Sequence, residues 1–128
     1  MRSKSYCIKV KPISWQRVVR SGNLSYDANT QDKVAFGLYL SQQHNDEPFF
    51  VKPIHLDLTF YMPIPKPIND RSVSVYHASP PHLDSLYKAF LDVIKDVLIV
   101  DARVICSLTM KKVYDKEPRT EVIITEVV

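Results

Sequence analysis

The sequence predicts a single α+β domain over residues 1–128, in which a mixed or antiparallel β-sheet carries two helices on one face. Three observations lead to this fold class. Segments of alternating apolar and polar residues, typical of strands, occur near both ends of the chain and in its middle. Two segments of helical periodicity lie between them, and the last two strands follow each other directly. Apolar residues make up 45% of the 128 residues, which is enough for a hydrophobic core at this size.

The first half of the chain contains two strands, one helix and two loops. Residues 5–11 alternate and predict a strand, whereas residues 12–28 lack periodicity and predict a long loop. Residues 29–44 predict a helix that begins at a polar side chain able to cap it. Residues 54–62 carry apolar side chains at every second position and predict a strand with one buried face. Residues 63–81 contain five of the nine prolines and predict a second long loop with a short strand inside it.

The second half begins with the best-defined element, an amphipathic helix. Ser79 is the predicted N-cap and Pro80 fits the first turn. The apolar side chains that follow recur with the 3.6-residue period and should face the sheet. Residues 102–113 and 119–127 predict two strands, and the turn-forming residues 116–118 predict a hairpin between them.

Composition excludes several classes of protein. The sequence has no apolar run of eighteen or more residues, so we expect no transmembrane helix and no membrane partner. The basic first residues are not followed by the apolar core of a signal peptide. Cys7 and Cys106 are too few for a disulfide framework, and both fall in predicted strands, where buried free thiols are the ordinary outcome. These features predict a cytoplasmic protein.

Basic residues are concentrated at the N-terminus. The first twenty residues carry six basic and no acidic side chains, whereas the remainder carries 11 basic and 14 acidic ones. This distribution predicts either a polyanion-binding surface or a solvated terminus with no binding role. The six basic residues are Arg2, Lys4, Lys9, Lys11, Arg17 and Arg20.

The residues best suited to chemistry open the second predicted helix. His82, Asp84 and Lys88 lie on its polar side, and Asp101 follows where the helix gives way to a strand. A helix–turn–strand unit that brings two carboxylates together could hold a divalent metal, since Mg²⁺ often binds through only one or two protein carboxylates. Such a metal can polarise a phosphodiester and activate water. The alternative is a surface helix with an Asp84–Lys88 ion pair and an unrelated Asp101.

Residues 82–88, His-Leu-Asp-Ser-Leu-Tyr-Lys, resemble a motif of the RusA-type Holliday junction resolvases that begins Asp-x-Asp-Asn-Leu and ends in Lys. Residues 100–101, Val-Asp, stand where that family has paired aspartates. Lys111 or Lys112 stands for its strand lysine, and residues 124–126, Ile-Thr-Glu, resemble its final strand. The chain departs from the family where a His, a Ser and a Val replace two aspartates and an asparagine.

The resemblance implies metal-dependent hydrolysis of a phosphodiester in four-way DNA junctions by a homodimer. Asp84, Asp101 and Lys88 would be catalytic, and Asp84, Asp101 and His82 would hold Mg²⁺ or Mn²⁺. Imidazole suits Mn²⁺ better than Mg²⁺, and Val100 cannot bind either ion. The residues expected to contact DNA phosphates are Lys9, Lys11, Arg17, Arg20, Lys111 and Lys112.

Two alternatives to the nuclease follow from the same residues. A catalytically silent junction-binding protein would keep the fold and the basic surface, and the replaced aspartates favour it. A small interaction protein without a nucleic-acid role would carry a merely solvated basic terminus. Retention of Asp84, Asp101 and Lys88 favours the enzyme.

Overall fold

The computed structural model describes residues 2–14, 19–21, 24–26, 30–64, 76 and 78–128, and it confirms the α+β class. Within this part of the chain, two helices accompany a four-stranded mixed sheet and a separate two-stranded one. The helices and strands are β1 (Ser3–Ile8), β2 (Val19–Ser21), β3 (Leu24–Tyr26), α1 (Thr30–His44), β4 (Ile54–Pro63), α2 (Leu83–Ile94), β5 (Ile105–Asp115) and β6 (Arg119–Glu126).

The main sheet has the strand order β1-β6-β4-β5, with β4 and β5 parallel and the other pairs antiparallel. The predicted hairpin between β5 and β6 is wrong, because β4 lies between these two strands and hydrogen-bonds to both. The long loop predicted over residues 12–28 is also wrong in part, since the hairpin of β2 and β3 falls inside it.

The central strand β4 supplies the middle of the core. Leu56, Leu58 and Phe60 alternate along one face and are fully or almost fully buried. Leu58 pairs with Met110 of β5 on one side and with Val122 of β6 on the other. A strand this apolar is stabilised most when both of its edges are hydrogen-bonded and one face is covered, which explains its central position.

Both helices cover the same face of the sheet. Phe36 of α1 meets Phe90 of α2 edge to face at 6.2 Å, and Lys33 forms an ion pair with Asp92 at 3.0 Å. Five α2 side chains are buried toward the sheet, as the helical period predicts. They are Leu86, Ala89, Phe90, Val93 and Ile94.

We define the two ends of the main sheet by the direction of β4: the lower end is where β4 begins, and the upper end is where it finishes. At the lower end β4 begins, and Phe50 just before it pairs with Ile99 and donates to the Leu98 carbonyl at 2.8 Å. Both helices therefore finish at the lower end. At the upper end β4 and β5 finish, α2 begins, and β1 also finishes, because Ile8 is level with Phe60 through β6.

Several element boundaries and exposures differ from expectation. β1 starts and ends earlier than predicted, and β5 starts at Ile105 because a short 3₁₀ turn, Ala102–Val104, precedes it. Cys7 is half-buried and Cys106 is exposed, so the expectation of two buried thiols is wrong. Among the described residues, no helix has the length and apolar character needed to cross a membrane.

Candidate active site

The first turn of α2 displays the residues that the sequence singled out. His82 is the N-cap, and its carbonyl accepts hydrogen bonds from the Ser85 and Leu86 amides at 3.1 and 3.2 Å. Asp84 is exposed in the first turn, and Lys88 is exposed one turn later. Free N–H groups give a helix start a partial positive charge, which stabilises a carboxylate there. Asp84 thus lies exposed at the upper end of the sheet.

The predicted N-cap is wrong, because the N-cap is His82, three residues after Ser79, and α2 begins at Leu83. Pro80 and Pro81 follow Ser79 and carry no N–H, so they cannot donate the hydrogen bonds that a first helical turn directs at its N-cap. The His82 side chain makes no capping hydrogen bond either. The start of α2 therefore depends on contacts from outside the helix.

Asp101 lies in a different setting, just before β5. Its Oδ1 accepts a hydrogen bond from the Arg103 amide at 2.9 Å and so caps the 3₁₀ turn. Its Oδ2 lies 3.8 Å from Arg103 Nε, and both side chains are largely exposed. The neighbouring Val100 is 54% exposed.

A single chain does not bring Asp84 and Asp101 together. Asp84 is at the upper end, whereas Asp101 lies at the lower end between Ile99 and the start of β5. The α2 helix between them has 12 residues, about 18 Å of length. The length of β4 gives a similar separation of the two ends, because this strand spans roughly 20 Å from Ile54 to Phe60. In the described ranges, no group of three or more His, Cys, Asp or Glu side chains is placed to hold a metal ion.

Lys112 is the basic residue nearest to the start of α2. It pairs with Phe60 on the covered face of the sheet, and its Nζ donates to the carbonyls of Ser79 and Pro81, both at 2.6 Å. Partial burial lowers the pKa of the Lys112 ammonium. Lys111, one residue earlier, pairs with Thr59 on the opposite face and is exposed.

Two other lysines expected to contact DNA also lie at the upper end. Lys9 and Lys11 follow β1 and are exposed. Lys11 lines a cleft of about 380 Å³ whose walls include Met62 and Pro81, so it lies near the start of α2. Arg17 falls outside the described residues. Of Arg20, the structure describes the backbone in β2 but not the side chain.

The first two basic residues of the chain are engaged within the protein at the lower end. Arg2 donates to the Pro48 carbonyl at 2.6 Å and lies 3.9 Å over the ring of Phe50. Lys4 forms a close ion pair with Glu47. The basic segment is therefore divided, and Arg2 and Lys4 fasten β1 to the loop after α1.

Comparison with known proteins supplies the family. A sequence profile described as endodeoxyribonuclease RusA matches residues 9–125 of the 128-residue chain. The chain belongs to the RusA endodeoxyribonuclease family. RusA nucleases act on branched DNA junctions and generally depend on a divalent metal. The match covers both ends of α2, so it includes Asp84 and Asp101.

One curated relative has no assigned activity. It is the uncharacterized protein YqaN of Bacillus subtilis strain 168, which is 27% identical over 96 residues. The aligned region covers 69% of this chain and 68% of the relative. This similarity assigns no residue a role, so the roles rest on the chemistry of the RusA site residues described above.

The donor atoms suit a divalent metal, but their arrangement in one chain does not form a complete site. Carboxylates are the ligands that Mg²⁺ and Mn²⁺ prefer, and the carboxylate of Asp84 is exposed. Asp101 lies at the lower end of the same chain, so a site with all the expected ligands would need Asp101 from a second chain.

Sequence analysis missed the contacts by which Lys112 holds residues 79 and 81, although a signal for them exists. Lys112 shares the strand alternation of Leu108 and Met110, which pair with the buried Leu56 and Leu58.

Proposed function

We propose that this RusA-family protein is a structure-selective endodeoxyribonuclease that resolves four-way (Holliday) junctions as a cytoplasmic homodimer. The family match over residues 9–125 carries the proposal. The structure supports it through one arrangement at the upper end: an exposed carboxylate on a helix start, with exposed lysines beside it. A cytoplasmic location agrees with two cysteines that are both free.

In this proposal Asp84 and Asp101, with His82, hold Mg²⁺ or Mn²⁺. The bound metal would activate a water and stabilise negative charge on the phosphoryl group. Lys88, one helical turn after Asp84, would offset charge that develops on the phosphate. His82 is exposed at the N-cap, two residues before Asp84. The helix start contributes its own partial positive charge near the phosphate.

The distance between Asp84 and Asp101 supports a homodimer in which two copies share each site. Asp84 of one copy and Asp101 of the other would then ligate the same metal. A two-fold arrangement of this kind produces two equivalent sites, which symmetric cutting of a four-way junction requires. It also accounts for the absence of a three-ligand cluster among the described residues of one chain.

Contacts with the DNA backbone would come from Lys9, Lys11, Arg17, Arg20 and Lys111, whereas the Lys112 ammonium is engaged by the Ser79 and Pro81 carbonyls. Lys9, Lys11 and Lys111 are exposed lysines, the kind of residue that commonly contacts phosphate oxygens. We therefore expect them to contact phosphates rather than base edges. Binding through phosphates is independent of sequence and weakens as salt rises. Recognition would therefore follow the shape of the junction.

The deciding experiment is junction cleavage with Mg²⁺ and with Mn²⁺, by wild type and by mixed dimers. Asp84→Asn and Asp101→Asn are each expected to be inactive alone. If two copies share each site, a mixed dimer of the two variants contains one intact site and one doubly altered site. Refolding the variants together should then restore nicking of one strand. If each site lay within one chain, both sites of the mixed dimer would be damaged and no cleavage would return.

A catalytically silent junction-binding protein is the second candidate function. It is favoured by Val100, which stands at a family acidic position and is 54% exposed rather than committed to the core. Junction binding without cleavage in either metal, by wild type and by Val100→Asp and His82→Asp alike, would establish this second function. Equal binding to four-way junction and linear duplex at all salt concentrations would exclude both candidates.

A further inference from the structure

Lys112 differs from the other lysines of the upper end in its partners. Its ammonium donates to two backbone carbonyls, those of Ser79 and Pro81, at 2.6 Å each. The side chain lies on the covered face of the sheet and is half-buried. A charged donor forms short, strong hydrogen bonds, and partial burial strengthens them further. Two such bonds fix both the position and the orientation of residues 79–81 over β5.

The anchored segment has few other means of fixing itself. Pro80 and Pro81 have no N–H and cannot donate to neighbouring carbonyls. The next residue, His82, is the N-cap, and its side chain forms no hydrogen bond with the N–H groups of the first helical turn. Lys112 therefore supplies from the sheet the constraint that a capping residue normally supplies from within the helix. Asp84 is three residues beyond Pro81, within the first helical turn.

We propose that Lys112 is a positioning residue that anchors the start of α2 to β5 and thereby fixes the direction of Asp84. This inference rests on the proposed nuclease function for its kinetic consequence, but its structural content is independent of that function. A displacement of about 1 Å in a catalytic group can cost a large factor in rate. Lys112 would then act on the catalytic step and not through a phosphate contact.

Lys111 provides the matched comparison, because it is the adjacent lysine on the opposite, exposed face of β5. Lys112→Met removes both donors while keeping a side chain of similar length, and it should lower kcat for junction cleavage about 10–100-fold, as loss of a supporting contact does. KM, junction affinity and the salt dependence of binding should stay as in wild type. Lys111→Met should instead weaken junction binding and reduce the salt slope by about one. Lys112→Arg, which keeps N–H donors, should recover part of the lost kcat.

Amide hydrogen exchange tests the anchor without any cleavage. The amides of Ser85 and Leu86, which bond to the His82 carbonyl, should exchange faster in Lys112→Met and at the wild-type rate in Lys111→Met. If the Met variant does not fold, Lys112→Gln supports the same measurement with a shorter neutral donor.

These measurements distinguish the Lys112 anchor from the proposed nuclease function. An inactive wild type whose Lys112→Met variant still shows faster exchange would overturn the nuclease and keep the anchor. Unchanged exchange, or a loss of junction affinity and salt slope at unchanged kcat, would overturn the anchor whatever the activity of the wild type.

Discussion

The basic residues of the N-terminal segment have different surroundings at the two ends of the sheet. At the lower end they contact other parts of the protein: Lys4 pairs with Glu47, and Arg2 donates to the Pro48 carbonyl and covers Phe50. At the upper end, Lys9 and Lys11 are exposed. The first twenty residues therefore contain both structural and accessible basic groups, and net charge alone does not distinguish them. The upper end is therefore the part of the sheet to which we assign the proposed DNA-binding surface.

The largest expected effect concerns the carboxylate at the upper end. Asp84→Asn should reduce junction cleavage about 10³-fold or more, as loss of an essential catalytic group does. Junction affinity should stay equal or rise, because one negative charge near the phosphates is removed. Cleavage rates and gel-shift titrations on the same junction measure the two quantities.

Asp92→Asn is the control for this prediction, because Asp92 is an exposed carboxylate on the same helix that pairs with Lys33. It should cleave at close to the wild-type rate. Equal loss of cleavage in both variants would mean that the general charge of α2, and not the upper end, determines activity.

A second prediction separates the two groups of basic residues. Lys9→Ala with Lys11→Ala should weaken junction binding roughly tenfold or more at moderate salt and reduce the salt slope by about two. Arg2→Ala with Lys4→Ala should leave the slope unchanged but lower the free energy of unfolding by about 1–3 kcal/mol, since several exposed and partly buried contacts are lost together. Salt titrations and urea unfolding of the two double variants check both. If the Lys9 and Lys11 changes lowered only the free energy of unfolding, and the Arg2 and Lys4 changes only the salt slope, the roles assigned to the two ends would be reversed.

The third prediction concerns pH and the lower end, where His44 is 3% exposed. The Tyr6 hydroxyl and His44 Nδ1 are hydrogen-bonded at 2.8 Å, and burial raises the pKa of Tyr6 to about 12, so the hydroxyl stays protonated. Burial, then the charges of Lys4 and Arg2, lower the pKa of His44 from its ordinary value. The folded protein therefore binds fewer protons at this site than the unfolded chain below about pH 6.5.

The stability contributed by neutral His44 should be complete above about pH 6.5 and should decrease as the pH falls toward the folded-state pKa. Its slope is at most about 1.4 kcal/mol per pH unit. Urea unfolding between pH 5 and 7.5 measures it, and His44→Gln should flatten the curve in this window while junction cleavage at pH 7.5 continues. An identical slope in the variant would assign the pH dependence to other groups.

The smallest expected effect is a gain. Val100→Asp places a second carboxylate beside Asp101 and should raise cleavage at limiting Mg²⁺ by no more than about tenfold. Because Val100 is 54% exposed, stability should change by only about 0.5 kcal/mol. Val100→Asn, which has the same shape without the charge, is the control. His82→Asp should shift the preference from Mn²⁺ toward Mg²⁺, since oxygen replaces an imidazole nitrogen.

The sequence pattern predicted those helices and strands that are determined by residues close together in the sequence. β4 matches the predicted segment closely because strict alternation reflects burial of one face, and α1 matches its predicted segment to within one residue. The pairing of β5 and β6 with β4 was not predictable in this way, since which strands become neighbours depends on contacts distant in sequence. The start of α2 was misplaced because a favourable cap, Ser79, precedes two prolines that cannot donate.

Strand alternation also carried information about the charged residues that the prediction did not use. Arg2 and Lys4 share the alternation of the buried Tyr6 and Ile8, whereas Lys9 has the opposite alternation. This pattern separates the structural from the accessible basic residues. The separation of Asp84 and Asp101 had no such signal, because it depends on how α2 lies along the sheet.

The central position of β4 has a consequence for how the chain folds. In the described part of the main sheet, β6 is the one strand that pairs with β1, and Ser3 lies opposite Thr125, so the first strand has no strand partner until the last strand has been synthesised. The short β5–β6 connection offers no local hairpin on which assembly could begin. Pairings this distant in sequence make folding slow and leave β1 and β4 transiently unprotected. During translation, β4 and β5 can pair first, and the four-stranded sheet should be completed only when β6 leaves the ribosome.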